Sequence, residues 1–370
     1  MKNKKLLFLF LLFFSPLLFG WGGTGHRIMN NKAVSFFPNQ MQQHFLFWAD
    51  SLSRHASNAD NRRSTDPTEG PKHYINIDNF PTFLSTGRIN QNYDSLVAIH
   101  GSAFVIQQGI LPWAILIAVD SLTNQFRRRD WQKAMLTAAD VGHYVSDGHM
   151  PLHLARNYDG QFTGQNGIHS RYETQMINQF SHLISLTTDS VNFVTNRSDF
   201  VFDFIYKNFR YVDSLLRADI TARTTAGNTS SGLYYQTLWN LTKDFTTKLF
   251  NDASKSTAAL IYTAWMNAGA PIITKINDAD LEPNYFHLFQ NYPNPFNSTT
   301  KISYQIPITS YVSLNVYDIL GNKISTLVNE DKLSGIYETE FTNLNSPSGV
   351  YFYRLIVNGK ALTKKMQHLK

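Results

Sequence analysis

The stretch His143-Tyr144-Val145-Ser146-Asp147, with Pro151-Leu152-His153 close behind, decides how the rest of the chain is read. Side chains four residues apart share one face of a helix, so His143 and Asp147 stand one turn apart and act together. Pro151 ends or kinks that helix, because its ring bars the next turn. His153 can then turn toward the same cavity. His169-Ser170-Arg171-Tyr172-Glu173 repeats the four-residue spacing of imidazole and carboxylate. Both groups are common zinc ligands, and two such pairs suit more than one ion. Taken singly, each reads as a surface polar residue or a hydrogen-bonded core histidine. Two pairs and a third histidine within 31 residues read as a metal site.

Working outward, Asp130-Trp131-Gln132-Lys133-Ala134-Met135-Leu136 leads into this helix, with no Gly or Pro before Gly142. Phe202 to Leu216 and Thr237 to Ala268 also show apolar residues at three- and four-residue spacing, so residues 21–270 read mainly as helix. Polar segments at 56–70 and 157–167, rich in Asn, Asp, Gly and Thr, read as loops. Asp60 falls in the first. His73 follows in Pro71-Lys72-His73-Tyr74-Ile75-Asn76-Ile77-Asp78, which alternates like a short extended segment. Trp113 reads as core by default.

The first twenty residues place a positive start (Lys2, Lys4, Lys5) before an apolar run from Leu6 to Phe14. This is the pattern of a secretory signal peptide. Cleavage after Gly20 makes the mature chain begin Trp21-Gly22-Gly23-Thr24-Gly25-His26. A free α-amine and the first carbonyl can chelate a metal, with His26 near enough to add a donor. The plainer reading of the glycines is flexibility. No cysteine is present, which excludes disulfides, Cys-ligated zinc and thiol catalysis. The formal charge of +6 comes from the ends of the precursor: residues 21–285 hold 22 Lys/Arg and 22 Asp/Glu. The helical part therefore offers no field to steer a polyanion.

From Phe286 the texture changes. Asn291-Tyr292-Pro293-Asn294-Pro295-Phe296-Asn297 is rich in turn formers. Lys301–Ile306 and Val312–Tyr317 alternate, and Gly349–Leu355 is a further β-rich run, which predicts a small all-β, immunoglobulin-like sandwich over 286–370. Residues 271–285 then form a linker.

Together, Trp21, His26, Asp60, His73, His143, Asp147, His153, His169 and Glu173 stand in the order of a known pattern. Residues 21–270 resemble the superfamily of zinc-dependent bacterial phospholipase C and fungal single-strand nucleases. The resemblance implies three zinc ions: one within Asp60, His73, His143 and Asp147, a second on His153, His169 and Glu173. The third would sit on Trp21 (amine and carbonyl), His26 and a bridging Asp147. Asp50 is an alternative to Asp60, which is preferred for its distance to His73. Asp60 would orient or deprotonate water, or serve only as a ligand. Met150 stands where the family often has Gln, and His149 reads as a bystander. Glu173 looks like the phospholipase branch; the nuclease branch usually has Asp there, after a Gly-Gly-Asn loop missing here.

The C-terminal part resembles the sorting domain of type IX secretion cargo through Asn291–Phe296, Val316-Tyr317-Asp318, Gly321, Gly349-Val350-Tyr351 and Lys364-Lys365. That implies a partner in the secretion machinery for 286–370 and a secreted or cell-surface protein, with membrane contact transient at most. A sandwich used only for adhesion is the plainer alternative. The expected function is phospholipase C-like hydrolysis of phospholipid. The alternatives are a single-strand nuclease and 3′-nucleotidase, and a non-catalytic zinc-containing surface adhesin.

Overall fold

A computed structural model describes residues 21–369, apart from 188, 273–285, 307–308, 334 and 343–346. The leader expected over 1–20 and most of the linker expected over 271–285 lie outside the described residues. The chain divides into two compact units. The first runs to Pro38 and takes in Ala49–Asn124 and Met135–Asn267; the second comprises Asn39–Trp48, Gln125–Ala134 and Ala268–Lys370. Two short stretches expected within the helical part thus group with the C-terminal part.

The first unit is helical. The helix Trp131–Asp147, which belongs to this unit from Met135 on, starts where the Asp130 carboxylate accepts the Lys133 N–H at 3.3 Å, which satisfies one of the free donors of the first turn. Ala134, Ala138, Val141 and Val145 bury one stripe of it. Across that stripe the Gly22–Ala33 helix approaches closely: Asn30 Nδ2 donates to the carbonyls of Leu52 and Ala139. A Cβ on Gly142 would lie 2.1 Å from Asn30 Oδ1, so only glycine permits this approach.

The expected Phe202–Leu216 helix is two helices, Arg197–Phe209 and Tyr211–Ala226. The first is capped by the Asn196 side chain on the Asp199 N–H, and the second ends at Gly227 in the left-handed region. The long helix Gly232–Asn267 packs against the Tyr211–Ala226 helix and the Gly22–Ala33 helix. Their shared core includes Trp21, Met29, Tyr172, Leu238, Trp239 and Phe250.

Two local expectations are corrected. The loop expected over 56–70 contains the helix Asn58–Arg62, so Asp60 sits on a helical turn. The segment 71–78 is not extended: 3₁₀ turns Gly70–His73 and Ile77–Asn79 flank residues 74–76. Five residues without an apolar stripe carry too little periodicity to signal a helix, and packing decides their shape.

Among the described residues, the second unit holds seven antiparallel strands: β1 (His287–Leu288), β2 (Thr299–Ile306), β3 (Ser310–Tyr317), β4 (Lys323–Lys332), β5 (Gly335–Thr342), β6 (Gly349–Val357) and β7 (Lys360–His368). They form sheets ordered β1-β2-β5 and β4-β3-β6-β7. Ile302, Tyr304 and Ile306 of β2 share one core with Val312, Leu314 and Val316 of β3 and Tyr353 and Leu355 of β6. Two sheets over one core, with β2 and β6 alternating inward and outward, make the sandwich. The buried Tyr353 hydroxyl donates to Phe289 O at 2.7 Å and accepts from the Asn291 N–H at 2.8 Å, tying the turn-rich opening to β6.

Candidate metal centre

The central helix ends at Asp147 and delivers His143 and Asp147, both fully buried, one turn apart. After Gly148 and Met150, Pro151 opens the 3₁₀ turn Pro151–Leu154, which carries His153. His169 and Glu173 come from consecutive segments, the helical turn Ile168–Ser170 and the π-helical turn Arg171–Met176. His26 comes from the Gly22–Ala33 helix, Asp60 from Asn58–Arg62 and His73 from the end of Gly70–His73.

These side chains converge. His73 Nδ1 lies 3.0 Å from both Asp147 Oδ2 and His143 Nε2, and 3.6 Å from Asp60 Oδ1. His26 Nε2 lies 3.5 Å from Asp147 Oδ1. His169 Nε2 lies 3.0 Å from Glu173 Oε2 and 3.2 Å from His153 Nε2. Two donors bound to one tetrahedral zinc at 2.0–2.2 Å stand about 3.3–3.6 Å apart, so the spacings are those of a ligand set.

Three of the rings are aimed by the main chain. His143 Nδ1–H donates to Ala56 O at 2.7 Å, His153 Nδ1–H to His73 O at 2.6 Å, and His169 Nδ1–H to Tyr158 O at 2.9 Å. In a neutral ring the other nitrogen is then a bare acceptor. The two lone pairs of His153 and His169 therefore face one another at 3.2 Å, an arrangement that needs a cation or proton between them. Buried atoms with no hydrogen-bond partner concentrate here too: both His26 nitrogens, His73 Nε2, Asp60 Oδ1, Asp147 Oδ1 and Glu173 Oε2. Buried polar groups are ordinarily paired, so this acceptor-rich cluster fits metal ions.

Electrostatics point the same way. Burial alone holds the His26 ring well below its ordinary pKa, and His143 lowers it further. Burial opposes charge on His143 as well, but Asp147 and Asp60 outweigh it and push that ring up to about 9. Asp147 stays well below the carboxylate range because His143 and His153 overcome its desolvation. Burial raises Asp60. Without a metal the acids draw protons onto neighbouring rings; ions take their place and expel them.

The expected donors fall into three side-chain sets: His26, Asp60 and His143; His73, His143 and Asp147; His153, His169 and Glu173. The third is the expected one. The first two divide Asp60 and His73 between sets that share His143, where one set of four was expected. Asp60 joins the cluster, and Asp50 is in none of the three sets. Trp21 is fully buried, and its indole donates to Ser146 O at 2.8 Å, beside Asp147. His149 is absent from the sets, its Nδ1 bonded to Val145 O at 2.8 Å. Trp113 lies in the core and donates to Gln91 O at 2.7 Å.

Two residues escaped the sequence reading. Glu69, four before His73, repeats the spacing of the other two pairs. It is buried, accepts from Tyr144, Lys72 (2.8 Å) and Arg62 (3.3 Å), and faces His73 Nε2 at 3.7 Å. These cations and donors hold its carboxyl below the usual range despite desolvation. Such a partner orients a ligand ring and raises its basicity. The other is Arg63. Its Nη1 is buried without a hydrogen bond, 3.7 Å from Asp60 Oδ1, and the side chain lines a cavity of about 560 Å³ with His73, His153 and His169.

Residues 290–368 match the family model of the secretion system C-terminal sorting domain. The chain thus carries a type IX sorting domain and is exported across the outer membrane as a secreted or cell-surface protein. No curated protein matches the chain. Among solved structures, the alpha toxin of Clostridium absonum is 12% identical, with 94% of this chain and 96% of that one covered and a TM-score of 0.44. The Clostridium perfringens alpha-toxin from avian strain SWCP is 11% identical over 94% and 98%, with a TM-score of 0.45. Likeness at this level says nothing of what the chain acts on.

Proposed function

We propose that the exported chain is a zinc-dependent phosphodiester hydrolase, with phospholipid as its first substrate, cleaved between diacylglycerol and the phosphorylated head group. The observation that carries this reading is the convergence of bare imidazole nitrogens and unpaired carboxylate oxygens beside an open cavity. The ligands would be His26, Asp60, His73, His143, Asp147, His153, His169 and Glu173, joined by the Trp21 amine and carbonyl once the leader is removed. When bound, zinc makes hydroxide available near neutral pH and offsets charge on phosphoryl oxygens.

The chain's own residues do the rest. Arg63, whose Nη1 has no hydrogen bond and only a 3.7 Å ion pair with Asp60, receives a non-bridging phosphoryl oxygen, where a charge-assisted bond is strong. Asp60, at the edge of the cluster beside Arg63, takes the proton of the attacking water. The P–O bond to the glycerol oxygen breaks as the new one forms, and the departing alkoxide takes a proton back. Asn79 and Gln108, bonded to each other at 2.6 Å, and Tyr74 and Tyr158 border the space left for the head group.

That border also supports a second reading. Carboxamides and tyrosines suit a nucleobase as well as a lipid head group, which keeps a single-strand nuclease in view. Purified protein is assayed on phosphatidylcholine vesicles and on single-stranded DNA, each with and without chelator. The expected result is chelator-sensitive release of phosphocholine. DNA cleavage without lipid turnover selects the nuclease. Bound zinc with neither activity selects an adhesin, and absence of tightly held zinc overturns all three.

A further inference from the structure

A larger cavity of the helical unit contains none of the proposed ligands. It measures about 910 Å³ and lies between the Arg197–Phe209 helix, residues 248–259 of the long helix, and the chain at 190–196. That is within the ~300–1,000 Å³ usual for small-ligand sites. Its wall at 190–196 is anchored: the Val191 N–H donates to Phe36 O at 3.0 Å and the Val194 N–H to Thr263 Oγ1 at 2.9 Å. A wall already fixed spares the ligand the cost of ordering it.

The lining mixes carbon surface with polar groups, among them buried His149, Asn208 and Ser256, and carries four cations. Val191, Val194, Phe200, Phe204 and Ala259 contribute carbon surface. Of the four rim cations, Lys248 is paired with Asp252, and Lys255 lies 3.8 Å from Asp189. The rim acid Asp203 is 3.6 Å from Arg88. Lys207 and Arg210 remain. Both are exposed, three residues apart, and neither side chain has an ion pair or hydrogen bond among the described residues. Like charges so placed repel one another, and an anion between them would relieve that.

Of the lining phenyl and phenol rings, Phe193 is exposed with no ring partner among the described residues, and the other three are already engaged. One face of Phe204 is taken by His149, stacked at 4.5 Å, and Phe200 stands nearly perpendicular to Phe204. Tyr211 is stacked on Phe245 at 5.1 Å. An alkyl chain fits the carbon surface of the engaged rings and the valines, and a base stacked on Phe193 is the rival that AMP tests.

We propose that this groove binds a single-tailed amphiphile with an anionic head, its chain on the carbon surface and its head between Lys207 and Arg210. The head is a carboxylate, as in a free fatty acid, or a phosphate monoester, as in a lysophosphatidate. The proposal does not depend on the activity assigned above.

The full chain is titrated with the fluorescent fatty acid cis-parinaric acid, then challenged with oleate, oleoyl lysophosphatidate and AMP. Oleate, lysophosphatidate or both should displace the probe, and which of them does so identifies the head. Lys207→Glu with Arg210→Glu should weaken binding about tenfold or more, the loss of charge-assisted bonds. Ala259→Trp should abolish it by filling the groove, and Arg63→Ala should leave it unchanged. Lys207→Gln with Arg210→Gln replaces the charge reversal should circular dichroism show that variant unfolded. Displacement by AMP in preference to both amphiphiles, wild-type affinity in the folded charge variant, or loss only in Arg63→Ala would overturn the proposal.

Discussion

Two knots of buried polar side chains draw on the same short stretch of helix, and they are built on opposite rules. His169 and Glu173 feed the metal centre. Arg171, between them on the other face, feeds a network with Asp219, Tyr234 and Gln165. There Arg171 donates to Asp219 (3.0 Å), Tyr234 (2.9 Å) and the carbonyls of Asn166 and Gln165, while Gln165 donates to Asp219 at 2.8 Å. Every charge in that knot meets its opposite; one carboxamide oxygen, on Gln165, is left over. The metal centre gathers acceptors with few donors to match. A buried network that closes on itself holds a fold; one that stays open in lone pairs awaits a cation.

The contrast breaks first, and most completely, if a chelator leaves the protein unaffected. Removing metal should abolish phosphodiester hydrolysis, with recovery on added zinc. Asp147→Ala should lower turnover on the order of 10³-fold and remove at least one zinc by elemental analysis, while unchanged metal content would end its bridging role. The closed knot should behave in reverse. Asp219→Ala strands the Arg171 charge and should cost about 3–5 kcal/mol of stability in denaturant titration, yet the folded fraction should keep its full zinc. Between the two lies Glu69→Gln, which should weaken zinc binding about 10–100-fold in competition with a chelating dye, with little change in melting. Gly142→Ala should give the smallest effect. Its methyl meets Asn30 Oδ1, and overpacking of this kind costs about 1–3 kcal/mol, read as a lowered Tm with metal content retained.

The parts legible in the sequence were those where spacing alone implies proximity. His143 with Asp147 and His169 with Glu173 stand one helical turn apart whatever the tertiary structure. The strands β2 and β3 declared themselves by alternation, and β6 by its run of β-forming residues. Glu69 and His73 share the same four-residue interval, but Gly70 and Pro71 between them hid it, because they read as loop. Asp60 was chosen by distance along the chain, while the helical turn that presents it owes its form to packing. Arg63 lay in a polar string of Asn and Arg that carries no periodicity. The amphiphile groove had no sequence signal at all: its lining is assembled from residues as far apart as 149 and 259, and only the fold makes them neighbours.

The aiming of His143, His153 and His169 through carbonyls of residues 56, 73 and 158 has a consequence for inheritance. A guy-rope tied to a side chain is cut by one codon change. These are tied to atoms every amino acid possesses, so a change of side chain at 56 or 158 that keeps the backbone in place does not itself loosen the rings, although burial at Ala56 and the cavity wall at Tyr158 restrict what fits there. A search for co-varying partners of these histidines would therefore overlook the contacts that hold them true.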